Sequence, residues 1–153
     1  MAELKKRVRA DLTTAMKSRD ELRASTLRMV LAAVTTAEVS GKQARELSDD
    51  EVTDVIVSET KKRREASAAF EGAGRDELAD KERAEARILA EYLPEQLSAD
   101  GIRRIVSEAI QGAGVAEQGL RAMGRVMGAV QPHVRGRADG AAVAAEVRRQ
   151  LGA

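Results

Sequence analysis

Apolar side chains recur every three or four residues along most of the chain, which is the spacing of one face of an α-helix. The segment after Ser98 shows the pattern most clearly, with apolar side chains at i, i+3, i+4, i+7 and i+8. Those positions hold Ile102, Ile105, Val106, Ala109 and Ile110. No segment alternates convincingly between apolar and polar residues, so no β-sheet is expected. The predicted fold class is all-α.

Residues that start or stop helices divide this pattern into seven predicted helices. Ser48 and Glu51 have the spacing of a capping box, in which each side chain bonds the backbone amide of the other residue. The other expected boundaries lie at Asp20, Gly41, Gly72, Gly74, Pro94, Ser98, Gly112, Gly114, Pro132 and Asp139. The sixth helix is predicted to begin near Leu120 and to end at Pro132.

The predicted helices fall into two domains that are separated near Pro94. Proline interrupts a helix there, and lysine is absent from the chain after Lys81. We predict a four-helix N-terminal region at 1–93 and a three-helix C-terminal module at 97–153.

Composition narrows the class of protein. The aromatic fraction is 1% and the charged fraction is 33%, which suits aliphatic helix interfaces better than a β-sandwich or barrel. The absence of cysteine excludes disulfides, thiolate metal sites and a thiol nucleophile. No apolar run approaches the ~18 residues of a membrane span, and the N-terminus lacks the pattern of a signal peptide. We therefore expect a cytoplasmic protein with no membrane contact.

Positive charge is concentrated near the C-terminus. From Gly119 onward there are six arginines and two acidic residues, although the net charge of the whole chain is only +1. The arginines are Arg121, Arg125, Arg135, Arg137, Arg148 and Arg149. A guanidinium group presents several donors that suit phosphate or carboxylate. The C-terminal third is therefore a candidate anion-binding surface, with an arginine-rich genome composition as the alternative explanation.

Candidate catalytic chemistry is scarce. His133 is the only histidine, and its neighbours Pro132 and Arg135 indicate a cationic loop rather than the base of a catalytic triad. The abundant acidic residues lack the histidine at i+3 that a di-iron site requires, and no glycine-rich segment matches a nucleotide-phosphate loop. We predict no catalytic residue, no metal site and no cofactor.

A run of four cations is the first candidate binding site. Lys61, Lys62, Arg63 and Arg64 cover one helical turn, so at least one of these side chains must turn toward the rest of the bundle. The alternative interpretation is a solvated stretch in the middle of a helix, with its charge balanced by nearby glutamates.

The second candidate site combines glycines with arginines in the predicted sixth helix. Gly124 and Gly128 lie at i and i+4 on one face, and a glycine inside a helix costs about 1 kcal/mol relative to alanine. Either the glycines allow close packing on a neighbouring helix, or they allow a nucleic-acid backbone to approach beside Arg121 and Arg125. The two interpretations stay open at the level of sequence.

The turn after this helix is a weaker candidate for phosphate binding. It runs from Gly136 to Gly140 and contains Arg137, with Arg135 just before it. Asp139 is expected to cap the last helix, and its carboxylate would oppose an anion at that helix start. Because both aromatic residues lie outside the basic third, bound RNA would be recognised by shape and phosphate contacts rather than by base stacking.

Five segments resemble, in order, the landmarks of the GatB/YqeY family. They are residues 22–29 (LRASTLRM), 61–65 (KKRRE), 91–97 (EYLPEQL), 123–128 (MGRVMG) and 136–140 (GRADG). YqeY-like proteins are similar to the C-terminal helical and tail region of GatB, a subunit of the glutamine-dependent Asp-tRNA/Glu-tRNA amidotransferase. In that subunit the tail recognises tRNA and a separate cradle performs the chemistry. The resemblance therefore implies the tRNA-binding appendage without the catalyst.

Three functional hypotheses follow. The first is a non-catalytic accessory module that binds tRNA through the glycine–arginine face, assisted by the following turn and by the basic run at 61–64. The second is a protein–protein adaptor that docks an amidotransferase subunit or another protein on the same C-terminal face. The third, ranked lowest, is a component of a glutamine-dependent carbon–nitrogen ligase, because no residue set in this chain activates a carboxylate or releases ammonia. A ligase label would be inherited from GatB.

Overall fold

The computed structural model describes residues 1–152, so the last residue of the predicted 97–153 module lies outside the described residues. The described chain forms seven α-helices and one short 3₁₀ helix, with no β-strand, which confirms the predicted all-α class. The helices are α1 (Glu3–Lys17), α2 (Glu21–Glu38), α3 (Asp49–Gly72), α4 (Asp76–Ala90), α5 (Ala99–Ala113), α6 (Met123–Val134) and α7 (Gly140–Gly152). None of the helices in residues 1–152 combines the length and the apolar character needed to cross a membrane.

The chain divides into two compact units, Met1–Leu93 and Pro94–Ala153. The first unit contains α1 to α4, and the second contains α5, the 3₁₀ helix (Ala116–Ala122), α6 and α7. Short turns at residues 18–20 and 73–75 join α1 to α2 and α3 to α4, and the two helices of each pair pack together. In the turn between α3 and α4, Gly74 adopts a φ of 73° that a side chain would strain.

Aliphatic side chains fill the core of each unit. In the first unit the largest fully buried side chains are those of Val8, Leu27, Val30, Val34, Val52, Ile56 and Leu89. In the second unit they are Val106, Val115, Val126, Val130, Val143 and Val147. Each such side chain contributes about 1.5–3 kcal/mol when it leaves water. The helical periodicity of the sequence therefore corresponds to real burial in both units.

A buried ion pair fastens the start of α1 to the end of α2. The Nζ of Lys5 lies 2.8 Å from Oε1 of Glu38, and both side chains are largely buried. The other carboxylate oxygen of Glu38 accepts a hydrogen bond from the amide of Leu47 at 3.2 Å. The hydrogen bond from Lys5 holds the pKa of Glu38 below its ordinary value, so the carboxylate stays ionised.

The predicted capping box at the start of α3 is confirmed. The Ser48 hydroxyl accepts a hydrogen bond from the Glu51 amide, and the Glu51 carboxylate accepts one from the Ser48 amide, each at 3.2 Å. Arg45 also binds this carboxylate and lowers the pKa of Glu51 to about 2. Two of the amides that every helix start leaves unpaired are thereby satisfied.

The region around α6 differs from the prediction in two respects. The helix begins at Met123 rather than near Leu120, because residues 120–122 belong to the 3₁₀ helix, which also contains the non-helical Gly119 (φ 63°, ψ −148°). Pro132 does not end the helix, which continues to Val134. A proline in the last turn removes only one helical hydrogen bond. The prediction that His133 lies in a loop is therefore wrong, since His133 belongs to the end of α6.

Loss of the capping box should destabilise the protein measurably. We expect Ser48→Ala to lower the free energy of unfolding by about 1 kcal/mol, because the Glu51 amide loses its acceptor. Chemical denaturation followed by circular dichroism measures this change. Ser58→Ala, the same substitution at an exposed position of α3, is the matched control. Equal stability of the Ser48→Ala variant and the wild type would contradict the role of the cap.

Candidate nucleic-acid interface

One side of α6 faces solvent and carries the predicted glycines and arginines. Gly124, Arg125 and Gly128 are exposed, and Arg121 is exposed immediately before the helix. The opposite side holds the buried side chains Val126, Val130 and Val134. The spacing of 121, 124, 125 and 128 is i, i+3, i+4 and i+7, which brings these residues to one strip of surface. We refer to this strip as the glycine–arginine face.

The two glycines of this face are not used for packing inside the protein. Among residues 1–152, a Cβ atom built on Gly124 or on Gly128 would meet no neighbouring atom within 4 Å, and neither residue has a positive φ. The interpretation that these glycines allow a neighbouring helix of the same chain to pack closely is therefore wrong. The space above them lies open to another molecule.

The two arginines of the face differ in their local contacts. The Nε of Arg121 donates a 3.4 Å hydrogen bond to the carbonyl of Gln118, within the 3₁₀ helix. Arg125 is exposed in the first turn of α6, a turn that contains no acidic residue. Leu120, beside this pair, has 58% of its surface exposed. The strip is thus basic, with an apolar residue at one end.

The turn after α6 is held inside the second unit. The Nε of Arg137 donates to the carbonyl of Glu95 at 3.0 Å, and its Nη1 donates to the carbonyl of His133 at 3.1 Å. The Gln96 side chain donates to the carbonyl of Gly136 at 2.8 Å. Arg137 therefore ties the segment before α5 to the end of α6. Arg135 next to it is half-buried.

Asp139 caps α7, as predicted. Its Oδ1 accepts a hydrogen bond from the Ala141 amide at 3.3 Å, and its carbonyl accepts the first helical hydrogen bond from Val143 at 3.1 Å. The carboxylate occupies the place in which a phosphate would sit at this helix start. This arrangement agrees with the sequence interpretation, in which the turn is a weaker candidate for phosphate binding than the arginines.

Of the four cations at 61–64, Arg63 turns into the protein. Its guanidinium lies 3.1 Å from a carboxylate oxygen of Glu85, 3.4 Å from Glu59 and 3.8 Å from Glu82. The expectation that at least one of these side chains turns inward is confirmed. Lys61, Lys62 and Arg64 are exposed. Lys62 also lies 3.0 Å from Glu59, so the run is partly balanced within its own helix.

The ion cluster around Arg63 was not predicted from the sequence. It places three carboxylates against one guanidinium between α3 and α4. Burial raises the pKa of Glu85, and the neighbouring charge of Glu82 adds to the effect, while Arg63 opposes it. One feature of the sequence could have indicated it: Glu82 and Glu85 have the helical spacing that places them on the same side of α4 as the buried Ala86 and Leu89.

His133 lines a cavity of about 400 Å³ between α5 and α6. The other lining residues are Ile105, Glu108, Ala109, Gly112, Ala113 and Ala129. Glu108 is the second ionisable group in this lining, and no serine, threonine or lysine accompanies it. Among residues 1–152 there is no group of three or more acidic or histidine side chains placed to hold a metal ion.

Residues 5–151 match a family model described as Yqey-like protein. The chain belongs to the YqeY-like family. This YqeY-like chain is 30% identical over 150 residues to Altered inheritance of mitochondria protein 41, mitochondrial, of Pyrenophora tritici-repentis, which covers 96% of the chain and 80% of the relative. It is 36% identical over 91 residues to an uncharacterized protein of Schizosaccharomyces pombe, which covers 60% of the chain and 72% of the relative. The family predicted from the sequence is confirmed.

Two of the YqeY landmark segments meet in the first unit. Arg23, from residues 22–29, lies 2.5 Å from the carboxylate of Glu91, from residues 91–97. The Tyr92 hydroxyl donates to Asp11 at 2.5 Å, and the guanidinium of Arg7 lies 4.6 Å from the centre of the Tyr92 ring. Burial and the bond to Asp11 raise the pKa of Tyr92, so its hydroxyl stays protonated and donates. These landmarks connect α1 and α2 to the end of α4.

Glu85 gives the protein a specific pH dependence. The pKa of Glu85 is raised in the folded state, so folding favours the protonated carboxyl group. The stability that comes from this preference is fully present below about pH 4.5, and it is lost as pH rises through the folded pKa. Glu85→Gln removes the ionisation. We therefore expect the melting temperature of this variant, relative to that of the wild type, to increase between pH 4 and pH 7.

Thermal unfolding at several pH values measures this difference. Glu108→Gln, which removes an exposed carboxylate outside the Arg63 cluster, is the matched control. A Glu85→Gln variant that loses stability relative to the wild type as pH rises would show instead that Arg63 requires the ionised Glu85.

Proposed function

We propose that this YqeY-like protein is a non-catalytic accessory protein that binds structured RNA of the tRNA type through the glycine–arginine face. The observation that carries the proposal is the strip at the start of α6, where the described residues leave the space above two glycines open and the exposed Arg121 and Arg125 lie nearby. The similarity of YqeY-like proteins to the tRNA-recognising tail of GatB supports the same partner.

The physical chemistry of the face suits a phosphate backbone. Guanidinium groups donate hydrogen bonds to phosphate oxygens and keep their charge at any physiological pH. Glycine brings the helix backbone to the surface, so a sugar–phosphate chain can approach α6 without meeting Cβ atoms. Neither aromatic residue of the chain lies in the second unit, so recognition by base stacking is not expected there. Binding would follow RNA shape and would weaken with salt.

In this proposal the C-terminal module carries the RNA contact, and the four-helix N-terminal region is a separate domain, as the sequence predicts. The proposed compartment is the cytoplasm, which is also the expectation from the sequence. The name of the Pyrenophora tritici-repentis relative places that protein in mitochondria. The proposed contact between arginine and phosphate operates in either compartment.

The RNA proposal predicts a specific salt dependence. We expect the full chain to bind bulk tRNA, with an affinity whose logarithm falls linearly with the logarithm of the salt concentration. Arg121→Ala combined with Arg125→Ala should weaken binding and make this slope shallower by about 1.5, because each lost phosphate contact removes about 0.7–0.9 from it. Fluorescence anisotropy of labelled tRNA in a salt series provides the measurement.

A double variant with the same loss of charge is the control for this experiment. Arg104 and Arg148 are exposed arginines of the second unit outside the glycine–arginine face, and alanine at both should leave the slope close to that of the wild type. If both double variants weaken tRNA binding equally, the RNA is attracted by the overall positive charge of the second unit rather than by the glycine–arginine face. No binding at low salt would contradict the proposal altogether.

The glycines allow a test that separates binding from stability. Gly124→Ala and Gly128→Ala should raise the free energy of unfolding by about 0.5–1 kcal/mol each, since alanine favours the helix and the added methyl group meets no atom. The same methyl groups should weaken tRNA binding. Gly112→Ala on α5, which is equally open, should raise stability without changing binding. Unchanged tRNA affinity in the Gly124 and Gly128 variants would contradict backbone approach at this face.

A second candidate function is favoured by the exposed Leu120 at the end of the same face. Protein interfaces bury apolar side chains inside a polar rim, and Leu120 with its charged neighbours supplies groups of both kinds. In that case the partner would be a protein, with amidotransferase subunits as the first to test. Retention of the partner after ribonuclease treatment, and its loss in Leu120→Asp, would favour the adaptor over RNA binding.

A further inference from the structure

A cavity of about 750 Å³ opens in the first unit, where the end of α1 and the start of α2 approach α4. Its floor is apolar and is formed largely by short side chains, because Ala15 and Ala24 are buried there next to Leu22. Met16 lies at the edge with 54% of its surface exposed. A volume of this size accommodates side chains from another molecule.

The rim of this cavity is predominantly basic. Its charged residues are Arg19, Asp20, Glu21, Arg28 and Lys81. The carboxylate of Asp20 is already engaged, because it accepts a hydrogen bond from the Arg23 amide at 3.1 Å and lies 3.5 Å from the Arg23 Nε. The three cations of the rim therefore outweigh the remaining glutamate. A segment with an apolar side chain next to acidic side chains would complement the apolar floor and the basic rim of the cavity.

The chain itself carries such a segment at the start of α4. Leu78 has 39% of its surface exposed, and the first turn of the same helix contains Asp76 and Glu77. Leu78 and Lys81 are three residues apart, so they share a face of α4. The acidic, leucine-bearing segment therefore lies directly beside the basic cavity that Lys81 lines.

We propose that two copies of this chain associate about a twofold axis, with Leu78 of each copy inserted into the cavity of the other. The acidic residues Asp76 and Glu77 of one copy then face Arg19 and Arg28 of its partner. A twofold contact requires each copy to present both complementary surfaces. The face of α4 meets that requirement, because it carries the leucine and borders the cavity.

Other occupants fit this cavity less well. A nucleic acid would place phosphates over an apolar floor, and no aromatic side chain lines the cavity to stack a base. A second copy supplies an apolar side chain for the floor and carboxylates for the rim. The proposed contact uses no residue of the glycine–arginine face.

The first measurement is the mass of the full chain in solution. Light scattering over a concentration series should show the mass rising from 16.4 kDa toward twice that value as the protein is concentrated. High salt should reduce the association, since oppositely charged rims attract each other. A monomer at every concentration and at low salt would overturn the proposal.

Leu78→Asp tests the inserted side chain. We expect this variant to be monomeric at concentrations at which the wild type is dimeric, with an unchanged circular dichroism spectrum, because Leu78 is not part of the core. Leu120→Asp in the second unit, where the leucine is still more exposed, should dimerise like the wild type. Normal dimerisation of Leu78→Asp would overturn the proposal.

Charge reversal tests the twofold geometry itself. Arg28→Glu and Glu77→Arg should each weaken self-association about tenfold or more, because like charges then face each other in both symmetric contacts. An equimolar mixture of the two variants should associate again, since in the mixed dimer both contacts join opposite charges. Two non-associating variants that fail to associate when mixed would rule out this pairing.

Discussion

The pairing of α3 with α4 around the Arg63 guanidinium is the constraint on which the first unit depends. Three carboxylates converge there on one cation, two of them from α4. Removing the cation would leave buried negative charges uncompensated, which is costlier than losing an exposed ion pair. The cluster therefore fixes the register of α4 along α3. That register positions Tyr92 at one end of α4 and Leu78 and Lys81 at the other.

The almost complete lack of aromatic side chains increases the importance of such polar contacts. Valine, leucine and isoleucine supply the free energy of burial, but they discriminate weakly between neighbouring registers of packed helices. Directional contacts supply that specificity at the helix ends. In the first unit Arg23 meets Glu91 and Tyr92 meets Asp11. In the second unit Arg137 bonds the carbonyls of two separate segments.

Periodicity and caps made most helices predictable, because they depend on residues close in sequence. The Ser48 capping box and the Ser98 cap of α5 are local features of this kind. The errors have a different origin. The start of α6 is delayed by the 3₁₀ segment that precedes it, and the openness above Gly124 and Gly128 depends on where other helices lie. Likewise, the sequence indicates that one cation of the run at 61–64 turns inward, but the position of α4 selects Arg63.

Counting basic residues therefore overstates the surface that could meet a nucleic acid. Arg63 and Arg137 contribute to the charge of the chain, yet each is engaged in holding helices together, so replacing either would disturb the fold and binding at once. Arg121 and Arg125 differ because the stability of α6 comes from its opposite side, where valines are buried. Changes on the glycine–arginine face can alter a contact without altering the core. Binding data from Arg121 and Arg125 can accordingly be interpreted as binding, whereas data from Arg63, Arg137 or the two glycines require a measurement of stability beside them.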